Sequence, residues 1–278
     1  MTSSSRNASV PIAVTVAGSD SGGGAGIQAD IKSMSANGVY AASVITALTA
    51  QNTLGVTAIH DVPADFVTAQ IDAVFSDLAV DAVKIGMLSQ VDVIRAVAVG
   101  LRLHGAGNVV LDPVMVAASG DALLQEAAVG VLVDELFPLA TVITPNLHEA
   151  SILTGMAVAR SRDEMIAQAE MLAARTDGAV LLKGGHADTL EAEDLLVKGG
   201  ALQWLTAPRI DTRNTHGTGC SLSSAIAAWL AHGKPLDEAV ARAKAWLTGA
   251  IAASGDLHVG TGHGPVHHFH ELWKVRGA

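Results

Sequence analysis

Six short β-branched runs, separated by segments long enough for a helix, constrain this chain more than any other feature. They cover residues 12–17, 43–48, 82–85, 108–111, 141–144 and 179–183 and are apolar almost throughout. A strand with one wet face alternates apolar and polar residues, whereas a continuously apolar run suits a strand covered on both faces, the usual state in parallel sheets. The intervening segments carry helix start signals. Pro63 precedes Asp65, Ser161 precedes Glu164 at capping-box spacing, and Pro235 precedes Asp237 and Glu238. The pattern predicts βαβ units in an α/β three-layer sandwich, with a mostly parallel central sheet and helices on both faces. Residues 193–208 read instead as two strands joined by Gly199-Gly200, a small hairpin appended to the parallel sheet. No repeat or linker-like shift in composition divides the chain, so residues 11–278 are expected to form one domain after a disordered tail of residues 1–10.

Composition narrows the partners. A single cysteine in 278 residues excludes an internal disulfide, and no paired Cys/His spacing of the zinc type occurs, which points to a reducing cytoplasm. A net charge of −10 and 3% aromatic residues argue against nucleic acid as a ligand. The polar opening lacks the apolar segment of a signal peptide, and no apolar run reaches the length of a membrane span. A small molecule is the expected partner.

In doubly wound sheets ligands bind at the carboxyl ends of the strands, and two glycine-rich segments fall there. The first is GSDSGGGAGIQADIK, residues 18–32, directly after the first strand. It contains a G-x-G-x-x-A match over residues 24–29, but that fingerprint needs a carboxylate about 20 residues further on to hold a ribose. No Asp or Glu lies between Asp30 and Asp61, so a dinucleotide site is not expected. The second is NTHGTGCSLSSAIAAWL, residues 214–230. Leu222, Ile226, Trp229 and Leu230 share one helical face, so a helix begins near Cys220 and the Gly217-Thr218-Gly219 turn offers free backbone N–H groups. That arrangement is an anion hole suited to a phosphoryl group. The same field is expected to favour the Cys220 thiolate, making Cys220 a candidate proton acceptor, with small-residue packing as the alternative. No Walker A frame exists, because Gly233-Lys234 runs into Pro235 and Lys183 lacks the preceding glycine frame.

The segments AGSDSGGGAGIQADIK, VITALTAQNTLGV, KIGMLS, VVLDPVM, VITPNLHEA, LLKGGH, NTHGTGC and GHGPVHHFH occur in this order. Together they resemble the signature segments of the hydroxymethylpyrimidine/phosphomethylpyrimidine kinases, a thiamine-biosynthetic family of the ribokinase-like superfamily. The resemblance runs over residues 12–273, with one small departure: the first loop reads Ser-Gly-Gly-Gly where the family more often has Ser-Ser-Gly-Gly. It implies a ribokinase-like fold, a homodimer, and ATP-dependent phosphorylation of 4-amino-5-hydroxymethyl-2-methylpyrimidine, first to the monophosphate and then to the diphosphate.

The resemblance also implies roles. Gln51 would meet the aminopyrimidine edge, for which an amide supplies both a donor and an acceptor. Gly18, Ala25, Met87 and Val114 would line the ring. Asp30 would lie near the substrate hydroxyl, or else serve as an acid in the first turn of a helix. Lys183 would meet the triphosphate, with Asn146, Thr215, Gly217 and Gly219 also on the ATP side. Glu149 and Asp112 would hold Mg²⁺, although Asp112 before Pro113 also suits a turn. Cys220 with Gly217, Thr218 and Gly219 would form the catalytic group. The resemblance makes the histidine-rich tail, His258 to His270, a structural C-terminus rather than a metal site. Two alternatives remain at this level. A pyridoxal kinase of the same fold is one, although relatives of that kind generally carry Asp where this chain has Cys220. A pyrimidine-binding protein without catalysis is the other, and it would have no use for the anion hole or Lys183.

Overall fold

The computed structural model describes residues 10–115, 126–185 and 191–273. The expected N-terminal tail lies, up to residue 9, outside the described residues. Among the described residues nine strands form one sheet: β1 (Ile12–Asp20), β2 (Tyr40–Asn52), β3 (Gly55–Asp61), β4 (Ala82–Ile85), β5 (Val109–Leu111), β6 (Val142–Ile143), β7 (Ala179–Lys183), β8 (Glu191–Lys198) and β9 (Ala201–Pro208). Their order is β3-β2-β1-β4-β5-β6-β7-β8-β9, with β2 through β7 mutually parallel in that order and β3, β8 and β9 antiparallel to their neighbours.

Because side chains alternate across a strand, each parallel strand feeds two cores. Val14, Val16, Val83, Ile85, Val109 and Leu111 point to one face, where they meet α2 (Ala64–Phe75), α3 (Val91–Leu103), α4 (Glu126–Leu136), α5 (Leu147–Thr154) and α6 (Arg162–Ala173). Ala13, Ala82, Val110, Val142, Ala179 and Leu181 point to the other, covered by α1 (Gly26–Ala36), α7 (Thr218–Ala231) and α8 (Leu236–Ala252). The continuous apolar runs follow from this double cover. The expected capping box at Ser161 and Glu164 opens α6, and Pro63 and Pro235 stand at the N-caps of α2 and α8. Gly199 and Gly200, at φ 55° and 80°, close the β8–β9 hairpin, where a two-residue turn needs positive φ at both positions.

The structure adds one strand that the sequence pattern did not suggest. β2 runs to Asn52, beyond residue 48, and turns back as β3, which pairs with it antiparallel at the sheet edge. Most of β3 is exposed, so its sequence GVTAIHD carries no buried apolar run. No helix among the described residues is long and apolar enough to cross a membrane.

Candidate active site

Every parallel strand delivers a polar or glycine-rich segment to its carboxyl end: Ser19 and Asp20 on β1, Gln51 on β2, Gly86 and Met87 after β4, Asp112 after β5, Asn146 after β6 and Lys183 on β7. At β1 the pairing with β2 shifts register between Ala17 and Ser19. Gly18, at that irregularity, packs so closely that a Cβ there would come within 3.1 Å of the Met87 sulfur. The floor of the proposed ring site is therefore shaped by a missing side chain.

The two glycine-rich loops are one unit. The Asp20 carboxylate accepts from the backbone N–H groups of Gly22 (2.7 Å), Gly24 (3.0 Å) and Ala25 (2.8 Å), and its Oδ2 lies 2.9 Å from His216 Nε2. Burial alone would raise this carboxyl, but His216 and the Ala25 and Gly22 amides outweigh burial and hold it below the usual carboxylate range. An ionised Asp20 requires the proton on His216 Nε2. The 3.5 Å approach of Gln51 Nε2 to that same nitrogen then sets donor against donor, which leaves the Gln51 amide nitrogen without an acceptor there. Gln51 and His216 line one small pocket with Thr53, Gly55 and His263. Its backbone is fixed from the first loop, since Ser21 Oγ donates to Gln51 O (2.7 Å) and lies 2.8 Å from Gln51 N. A Cβ on Gly217, at φ 76°, would collide with the Gly24 carbonyl oxygen and would stand 3.2 Å from the Ala25 Cα. Asp20 and His216 were not among the expected site residues. An Asp inside a glycine-rich loop and a His before Gly-Thr-Gly are signals a sequence can show, but their pairing is not.

A second polar cluster gathers around Lys183. Its Nζ lies 2.7 Å from Asp112 Oδ1, to which Thr144 Oγ1 also donates at 3.0 Å. A Cβ on Gly219 would lie 3.3 Å from Lys183 Nζ and 3.6 Å from Asp112 Oδ2, so lysine, carboxylate and the start of α7 converge. Burial favours the neutral lysine, yet Asp112 and Glu149 override it and raise the ammonium's pKa. Burial likewise pushes Asp112 up, and Lys183 and Lys84 bring it below its ordinary value. Asn146 and Glu149 form a capping box at the start of α5, with Glu149 N donating to Asn146 Oδ1 (2.9 Å) and Asn146 N to Glu149 Oε2 (2.7 Å). The Glu149 carboxyl is pushed up to about 7, first by burial and then by Asp112, with Lys183 opposing. Thr215 is exposed on the loop before α7, and Val114 is half-buried beside Asp112.

Among the described residues no three His, Cys, Asp or Glu side chains are grouped to hold a metal ion. Magnesium does not need three, since it keeps several waters and takes one or two carboxylates beside substrate phosphates. Asp112 and Glu149 are hard oxygen donors; burial first and Asp112 second disfavour the Glu149 carboxylate, and a divalent cation beside both would favour the ionised forms. The donor set fits magnesium.

Two expectations need correction. α7 does begin at Thr218, but the Cys220 thiol is pushed up to about 11, chiefly by burial, with Asp30 and Asp112 adding to it. Lys84 and the Gly26 N–H favour the thiolate without prevailing. The site holds a thiol, because desolvation and two carboxylates outweigh the helix field. Asp30 is neither a helix-start acid nor open to a substrate hydroxyl. It is fully buried in the fifth position of α1, bound by both oxygens to the equally buried Lys84 Nζ at 2.9 Å, with Thr15 Oγ1 (2.6 Å) and Ser224 Oγ (2.7 Å) completing its shell. Lys84 lies between Val83 and Ile85 on β4, so it points to the α1–α7 face while they point to the other. In the histidine-rich tail His267 and His268 are buried, and His268 Nε2 lies 3.1 Å from Ser221 Oγ at the start of α7.

The model of the family described as "Phosphomethylpyrimidine kinase" matches residues 20–267. The chain is 61% identical over 263 residues to a hydroxymethylpyrimidine/phosphomethylpyrimidine kinase of Rhizobium meliloti, covering 95% of this chain and 98% of the relative. Among solved structures, phosphomethylpyrimidine kinase from Clostridium difficile shares 43% identity at a TM-score of 0.77, covering 86% of this chain and 99% of that one. An ADP complex of Bacillus subtilis pyridoxal kinase shares 37% identity at a TM-score of 0.86, covering 94% and 98%. The family model over most of the chain, the identity over nearly its whole length and the fold shared with these kinases place the protein in the phosphomethylpyrimidine kinase family.

Proposed function

We propose that the chain is an ATP-dependent kinase that phosphorylates the 5-hydroxymethyl group of 4-amino-5-hydroxymethyl-2-methylpyrimidine and then phosphorylates the monophosphate to the diphosphate, for thiamine biosynthesis. The observation that carries this reading is the convergence of Lys183 and Asp112 on Gly219 at the start of α7, directly after His216, which lines a small pocket with Gln51. In-line phosphoryl transfer demands positioning and charge neutralisation more than covalent chemistry. Lys183 and the amides at the start of α7 take the charge of the phosphates, with Asn146 and Thr215 bordering the nucleotide. Gln51 reads the pyrimidine edge, over a floor of Gly18, Ala25, Met87 and Val114. Asp112 and Glu149 would hold Mg²⁺, which would supply charge neutralisation on the phosphate oxygens. Cys220, a thiol at neutral pH, stands as close escort of the transferring group, since a loose transition state asks little of a base. The chain acts in the cytoplasm as a homodimer. The lone cysteine suits a reducing compartment, and exposed Leu48 and Leu54 leave apolar surface at the β2–β3 edge for a second copy.

Incubation with ATP and each of the pyrimidine alcohol, its monophosphate and pyridoxal, read by phosphorus NMR, tests the proposal. Diphosphate from the pyrimidine is the expected outcome; phosphorylation of pyridoxal alone overturns it. Pyridoxal is the second reading because the fold likeness to a pyridoxal kinase, at a TM-score of 0.86, is as high as any reported above.

A further inference from the structure

The appended hairpin carries a carboxylate that the phosphoryl-transfer site does not use. Asp194 on β8 is directly paired with Lys183 on β7 and is 6% exposed. Its Oδ1 accepts the Gly184 N–H at 3.0 Å, and its Oδ2 lies 2.6 Å from Lys244 Nζ on α8. Gly184 N also donates to Glu193 O at 3.0 Å, and a Cβ on Gly184 would collide with that oxygen. The peptide joining Lys183 to Gly184 is thus held from β8 at its N–H. The orientation of that peptide about the Lys183 Cα–C bond is the ψ angle of Lys183, so holding its N–H fixes the Lys183 side chain relative to β8. On the opposite side Lys244 belongs to α8, which packs against α7, the helix whose first turn supplies the anion-binding amides. One buried carboxylate therefore ties together the lysine turn, the hairpin and the helix pair under the anion hole.

We propose that Asp194 is a positioning residue for phosphoryl transfer, fixing the Lys183 ammonium relative to the Gly217–Gly219 amides through the Gly184 N–H and Lys244. This rests on the assignment of Lys183 to the triphosphate. Steady-state kinetics with ATP and with the pyrimidine varied separately, on Asp194→Ala, Asp194→Asn, Lys244→Met and Lys183→Ala, form the test, with thermal unfolding measured on each. Misplacing a binding group by a fraction of an ångström is expected to raise KM for ATP about tenfold in Asp194→Ala while KM for the pyrimidine moves less than about twofold. Asp194→Asn keeps an oxygen for Gly184 and is expected to recover most of that loss; Lys244→Met, which frees α8, is expected to fall between. Equal changes in both KM values, or a fall in thermal stability with no selective change in KM for ATP, overturn the proposal. Should Asp194→Ala not fold, the order Lys244→Met above Asp194→Asn in KM for ATP decides it, and the reverse order overturns it. If Lys183→Ala itself leaves KM for ATP and turnover unchanged, it is the assignment of Lys183 that fails, whereas an effect of Lys183→Ala without one in Asp194→Ala rejects the positioning role alone.

Discussion

Asp20 and His216, 196 residues apart in sequence, meet at 2.9 Å, and through that contact the loop after the first strand and the loop before α7 become one unit. The carboxylate also satisfies the loop amides of Gly22, Gly24 and Ala25, so the glycine-rich segment is shaped by one charge that the glycines themselves do not carry.

Removing that charge should loosen both loops. Asp20→Ala is expected to lower stability by about 1–3 kcal/mol at pH 7, the cost of orphaned polar groups, and to weaken pyrimidine binding with it. Because the folded pKa is depressed, the wild-type stabilisation is present above the ordinary carboxylate range and is lost as pH falls through the folded value; Asp20→Ala should lack this acid sensitivity. Thermal melts from pH 7 to 3 and calorimetric titration of the pyrimidine check both points. Unchanged melting and binding would mean that the loops hold their shape without Asp20.

Gln51→Ala should weaken the pyrimidine far more than ATP, by about 1–3 kcal/mol, because it leaves polar ring edges unpaired in a closed site. Titration calorimetry with each ligand separates the two losses. Equal losses for pyrimidine and nucleotide would remove Gln51 from the ring.

Cys220 should behave as a half-buried thiol with a raised pKa. Alkylation of the wild type is expected to accelerate about tenfold per pH unit from pH 7 to 10, without a plateau, since the thiol is pushed up to about 11. ATP and pyrimidine together should protect it. Cys220→Ala is expected to fold and to lose about 10²-fold in turnover, the scale of loss when a group that positions the reacting atoms is removed. A plateau in the alkylation profile below pH 8 would restore the thiolate, and full activity in Cys220→Ala would reduce the side chain to packing.

Glu149 should make the metal-free protein less stable as pH rises. With the folded carboxyl raised to about 7 from an ordinary 4.5, its favourable contribution is complete below pH 4.5 and is lost as pH climbs through 7. In chelator, Glu149→Gln, whose amide oxygen can still accept the Asn146 N–H, is expected to gain on the wild type by about 3 kcal/mol between pH 4.5 and 8. Urea unfolding of both proteins across that range is the measurement; parallel curves would show that the Glu149 carboxyl is not strained by its burial. Added Mg²⁺ should narrow the gap, because it stabilises the wild-type carboxylate.

The parallel core was legible because strands covered on both faces must be apolar, and residues such as Val14, Val83 and Leu111 leave no doubt of period or partner. β3 was not, because an exposed edge strand such as Gly55–Asp61 has nothing apolar to bury and owes its pairing to β2. The helix start between Gly217 and Cys220 was legible because a glycine turn and an apolar helix face are local signals. The thiol's raised pKa and Asp30's partner were not, since Asp30, Lys84, Asp112 and Ser224 come from four separate elements and only the folded chain brings their charges together.

The collision that forbids a side chain at Gly217 is with the Gly24 carbonyl, a partner near the other end of the chain. Recombination between relatives must therefore respect a seam: a chimera that joins the first loop of one parent to the last loop of another, with a crossover anywhere in the long stretch between, brings together two backbones fitted to different mates. Apolar core positions tolerate exchange as long as volume is kept, whereas this backbone-to-backbone fit does not, so such a chimera can fold and still have its two loops misfitted. The unit of inheritance in this fold is the pair of loops, and neither can be transplanted alone.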